Sequence, residues 1–180
     1  MQSARRMGLN LPTDPMLQLL VGAVFAESST RWYGGENALE KEAIAWSILN
    51  MSHYATVTKG THNYNRAFGD GTVLSAIRKA IVAYGSPRWN VVMDGNQLKP
   101  EASLNRLEPG DRDHLELVLQ VVNAIGPAPR LPHPLASLEN RIPVQFNQAS
   151  NSPPSAQRQE RIGKHGRHTF YAFKIGREAD

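Results

Sequence analysis

The sequence contains no cysteine. That excludes a disulfide framework, a thiol nucleophile and any thiolate metal site. It also lacks an apolar run of about 18 residues, so no segment reads as a membrane-spanning helix. The opening MQSARRMGLNLPTDP carries Arg5 and Arg6, but Pro12, Asp14 and Pro15 interrupt the apolar run that a secretory signal peptide needs. There is no glycine-rich phosphate loop, no zinc-finger spacing, no GxSxG elbow, no internal repeat and no low-complexity tract.

What is present is ordinary for a globular chain: 41% hydrophobic and 20% charged residues across 180 positions, enough for one domain with its own core. The charge is unbalanced. Twenty Lys and Arg against sixteen Asp and Glu give +4 and a pI near 9.6. An anionic partner follows, whether nucleic acid, an anionic membrane or an acidic wall polymer. The densest basic stretch, RQERIGKHGRH at 158–168, reads by itself as a solvated loop.

Asp14 followed by Pro15 marks a helix start, and the pattern runs to about Glu27. After SSTRWYGGEN, Asn37 with Glu40 reads as a capping box that opens a second helix through Ala43, Trp46 and Asn50. Residues 52–71 read as loop. Thr72 then caps a third helix that reaches Tyr84 and is closed by Gly85. Asp111 opens HLELVLQVVNAI, ended by Gly126 and Pro127, whose dense apolar content predicts the central helix. Four prolines between 127 and 134 forbid helix there, and PVQFNQ and HTFYAFKI alternate like short strands. The expected class is α+β, mostly helical, with a small C-terminal antiparallel β element. Residues 1–13 form an irregular lead-in to one domain spanning 1–180.

One residue breaks the pattern. Stepping back from Glu27 by three and four gives Ala23, Leu20 and Met16, so a carboxylate stands on an apolar stripe. A carboxyl enclosed by apolar neighbours is pushed toward its neutral form and can donate a proton near neutral pH, as cleavage of a glycosidic bond requires. A glutamate at a frayed helix end that turns to water fits the same spacing. His165 and His168 lie close to Glu160, but on a loop entering a strand they lack helical alignment and a third ligand, which argues against a metal. Trp32, Tyr33, Phe170 and Tyr171 could stack on bases or on sugar faces. Without a basic helical stripe or an RNP-like segment, nucleic acid is the weaker reading.

Taken in order, AVFAESS, the helix EAIAWSILNM and the terminal RIGKHGRHTFYAF resemble the SleB-like cell wall hydrolases. That family shows an apolar helix ending in Glu, a second helix like AVAxVxLN and a final GxHxFY. Gly166, His168, Phe170 and Tyr171 match the last motif, and VQFNQ around Phe146 is similar to the penultimate strand. The likeness covers most of the chain, more loosely over 52–125. It implies a lysozyme-like fold and cleavage between N-acetylmuramic acid and N-acetylglucosamine in peptidoglycan, with Glu27 as catalytic acid. Ser28, Tyr33, Phe146, His168 and Tyr171 would line the glycan cleft, and neither cofactor nor metal is expected. The chain departs from the family after Glu27, where SSTR replaces an Arg and a second Glu, and at Asn50-Met51, where the family has Asn-Arg. Glu36 and Asp70 are the candidates for a second carboxylate, and each fits a solvent-facing or capping role as well.

Such an enzyme, made in the cytoplasm without a signal peptide, would act in the periplasm or on the cell wall after export or release, as a phage-type lysin or an exported antibacterial effector. The latter implies a secretion-system carrier and an immunity protein that plugs the cleft. The alternative is a non-catalytic module that holds glycan or a partner in the same groove.

Overall fold

The computed structural model describes residues 8–30, 36–61, 66–131, 141–148 and 159–174, with the backbone alone described for Glu36, for 141–148 and for 159, 160, 162, 173 and 174. The chain is α+β and mostly helical, with an antiparallel sheet at its C-terminal end.

Helix α1 (Pro15–Glu27) begins as its sequence dictates. The Asp14 carboxylate accepts from Leu17 N at 3.1 Å, and Pro15 occupies the first turn, where its missing N–H costs nothing. The helix is apolar on every side. Leu19 to Ala26 are all buried, and Leu20, Val21, Ala23, Val24 and Phe25 are fully enclosed. An all-round apolar helix belongs in the middle of a fold. α1 therefore takes the central place predicted for the later HLELVLQVVNAI segment, and the apolar stripe under Glu27 is one side of a helix surrounded by protein. At Gly22 a Cβ would come within 2.7 Å of Met93 Cγ, so the glycine permits the close approach of the chain at Met93. Each enclosed Leu or Phe contributes roughly 1.5–3 kcal/mol.

Helix α2 (Glu36–Thr58) is longer than expected, absorbing residues 52–58 that read as loop. Its last turns are held from outside. Met51, Tyr54 and Ala55 pack with Phe68, from a short 3-10 turn at Arg66–Phe68, and with Ala76. Asn37 is the second residue of the helix rather than its cap, and Glu40 turns its carboxylate elsewhere. Helix α3 (Val73–Ala80) starts at Thr72, whose hydroxyl accepts from Ser75 N at 3.1 Å, but stops four residues before Tyr84. Short helices α4 (Trp89–Val92) and α5 (Glu101–Leu104) flank a tight hairpin of β1 (Met93–Asp94) and β2 (Gln97–Leu98), in a stretch read as plain connection. Helix α6 (Pro109–Ile125) is amphipathic: Leu115, Val118, Leu119 and Val122 face the core, and Gly126 ends it at φ 76°.

The C-terminal sheet has three antiparallel strands in the order β3 (Arg141–Gln148), β5 (His168–Lys174), β4 (Gln159–His165). β4 is the correction here, because it occupies most of the basic stretch read as a solvated loop. A two-residue turn, Gly166-Arg167, joins it to β5. Phe170, Tyr171 and Ala172 on the middle strand are buried, Phe170 within the main core.

Candidate active site

Glu27 closes α1 and is partly buried. Its Oε1 accepts a hydrogen bond from Ala83 N at 3.0 Å. That donor exists because α3 ends early: Ile81 adopts an extended conformation, and the turn that follows carries the Ala83 N–H to the acid. The turn is braced by Tyr84, whose hydroxyl donates to Asn96 Oδ1 at 2.8 Å and whose ring meets Trp89 edge-on. Among the described residues Oε2 of Glu27 has no hydrogen-bond partner.

A second, deeper acid lies behind it. Glu40 is 1% exposed. Its Oε1 accepts from Ser29 N at 2.6 Å and its Oε2 from Arg167 N at 2.7 Å, with His168 Nδ1 3.4 Å from Oε2. Burial alone would raise the Glu40 carboxyl. The contact with His168, the two main-chain hydrogen bonds and the His168 charge outweigh it and hold the carboxyl below its ordinary value. Next to it Lys41 is fully enclosed, donating from Nζ to Ser29 O at 3.2 Å. Its burial lowers the ammonium to about 8, against the pull of Glu40 and with a push from Arg167. Arg167 also donates from Nη2 to the carbonyl of Glu27 at 2.6 Å.

The predicted residues separate into groups. Glu27 ends α1, partly buried, with one carboxylate oxygen held by Ala83 N. Ser28 turns inward, 3% exposed, and its hydroxyl donates to Val24 O at 2.6 Å, so it is occupied within the helix end rather than offered to a ligand. His168 is likewise interior, serving Glu40, and Tyr171 is buried on the middle strand. Phe146 lies opposite Phe170 in the sheet register, its side chain outside the described part, and Tyr33 lies outside the described residues altogether. Of the candidate second carboxylates, Asp70 is exposed and accepts from both the N–H and the hydroxyl of Thr72, the residue that caps α3. Glu36 begins α2 and its side chain is outside the described part.

Ser28 and His114 form the nearest thing to a nucleophile–base pair, with Oγ 3.5 Å from Nε2. It cannot act as one. Nε2 lies 3.0 Å from the carbonyl of Phe25 and must carry its proton toward it, while Ser28 donates to Val24. Burial, then the charge of Lys41, lowers the imidazole to about 4. No group of three potential metal ligands occurs among the described residues. No helix there is long and apolar enough to cross a membrane.

An open groove of about 290 Å³ runs between α2 and α6, walled by Trp46, Leu117, Val121 and Ile125 with Glu42 at its side. Glu27 does not line it.

Lys41 and Arg167 were not singled out from the sequence, and Glu40 only as part of a capping box. For Glu40 a signal existed: Ile44 and Ile48 follow it at intervals of four, the same apolar-stripe anomaly that marks Glu27. The capping-box reading absorbed it. No family model, no curated protein and no solved structure matches this chain.

Proposed function

We propose that the chain cleaves the glycan strands of peptidoglycan between N-acetylmuramic acid and N-acetylglucosamine, with Glu27 as the proton donor in a lysozyme-like domain. The observation that carries this reading is the placement of Glu27: an acid at the end of a buried helix, one oxygen oriented by Ala83 N and the other open. The three ordered motifs supply the substrate class.

Glu27 gives its proton to the bridging oxygen as the bond to C1 of the muramic acid breaks. Positive charge spreads over C1 and the ring oxygen, and the carboxylate then takes a proton from the attacking hydroxyl. Water as nucleophile yields a reducing muramic acid; the sugar's own 6-hydroxyl yields a 1,6-anhydro product. The second route needs no second carboxylate. It is favoured by the occupation of both Glu40 oxygens by main-chain donors and by the binding of Asp70 to Thr72. The positive net charge favours docking on an anionic wall, more weakly as salt rises. Action in the periplasm or on the wall after export or release follows from such a substrate, and an exported form would be held harmless by an immunity protein seated over Glu27.

Digestion of purified sacculi, followed by mass analysis of what is released, tests the reading. Disaccharide peptides ending in muramic acid or its anhydro form are expected. Sacculi that bind the protein yet release nothing would favour a glycan-binding module instead.

A further inference from the structure

The end of α1 leaves carbonyls without helical partners, and that of Glu27 is satisfied by a guanidinium brought from 140 residues away. The cation also lies at the negative end of the helix dipole. Arg167 is itself fixed. Its main-chain N–H is held by Glu40 Oε2, and its neighbour Gly166 sits at φ 56° so tightly against the Glu40 carboxylate that a Cβ there would collide with it. The other oxygen of Glu40 holds Ser29 N, two residues past Glu27. The backbone on the C-terminal side of Glu27 is thus tied at two points to one buried carboxylate and the hairpin tip it grips, while Ala83 holds the far end of the side chain.

We propose that Arg167, locked in place by the buried Glu40, is a positioning residue that sets where the Glu27 carboxyl stands. This rests on Glu27 being the proton donor. The β4–β5 hairpin then has a task beyond covering the core: its tip fixes the acid, and His168, one residue on, helps hold Glu40 rather than sugar. Misplacement by about an ångström at a reacting group can cost about a hundredfold in rate, so an anchor of this kind acts on turnover rather than on binding.

Arg167→Ala keeps the main-chain bond to Glu40 and removes the guanidinium's grip on Glu27. The experiment measures turnover of soluble, uncrosslinked glycan strands together with amide hydrogen exchange at Ala83, whose N–H reports directly on the Glu27 side chain. The expected result is a fall in kcat of about tenfold or more with KM changed less than about twofold. Faster exchange at Ala83 with Val118 and Leu119 in α6 unchanged, and partial recovery of both readouts in Arg167→Lys, complete the pattern. Unaltered Ala83 exchange and unaltered kcat would overturn the proposal. So would exchange that rises equally in α6, since that marks general loosening. If the wild-type protein releases no fragments, the proposed function fails by itself, and Ala83 exchange still decides whether Arg167 places Glu27.

Discussion

Two glutamates thirteen residues apart hold different segments: Glu27 accepts from Ala83 N, Glu40 from Ser29 N and Arg167 N. Glu40 is enclosed, with two main-chain donors and a histidine on its oxygens. Glu27 has one donor, partial exposure and one open oxygen. A buried carboxylate whose lone pairs are filled is held as an anion and stabilises the segments it joins. A carboxyl oriented but not saturated has a site left for an incoming oxygen. Spacing alone marks both as misplaced charges; hydrogen-bond accounting separates them.

The contrast can be broken by exchanging the losses. Glu27→Gln should lower glycan cleavage by about 10²–10⁴-fold, the range for loss of a general acid, because the amide can still accept from Ala83 but carries no acidic proton. Glu40→Ala strikes the fold first. It leaves the Ser29 and Arg167 N–H groups and the buried His168 without their carboxylate, and takes away the charge that offsets buried Lys41; the cost should be about 3–5 kcal/mol in urea unfolding, with secondary effects on activity.

A pH titration sharpens the same distinction. His114 is lowered from 6.5 to about 4, so between those values the unfolded chain binds a proton that the folded one refuses. Stability is therefore full above about pH 6.5 and declines as pH falls toward 4, by up to about 3 kcal/mol, and His114→Gln should flatten that decline. The smallest effect belongs to Asp70. Its carboxyl lies below its ordinary value through hydrogen bonds from Thr72, but it is fully exposed. Asp70→Asn should lower the melting temperature only slightly and leave cleavage unchanged.

Much of the architecture was legible because its signals are local. The Asp14-Pro15 start of α1, the Thr72 cap of α3, the Gly126 stop of α6 and the strands around Phe146 and Phe170 depend on a few adjacent residues. What was missed depends on distant partners. Residues 52–58 are polar enough to read as loop, yet Tyr54 and Ala55 make them helix by packing on Phe68 and Ala76. The stretch 159–165 becomes a strand only against β5, and α3 stops at Ala80 where Ile81 leaves the helical conformation. The candidate site divides in the same way. Glu27 was visible from helical spacing, whereas Arg167 gave no signal, because its role arises from a meeting across 140 residues. The displacement of α6 by α1 as central helix was readable: LLVGAVFA has no polar side, while α6 plainly does.

The most direct measurement is a paired digestion of purified sacculi by the wild-type protein and Glu27→Gln at equal concentration, with far-UV circular dichroism to confirm equal folding. The account predicts muropeptides with muramic acid or anhydromuramic acid ends from the wild type and almost none from the variant. Equal release by a fully folded Glu27→Gln protein would contradict it.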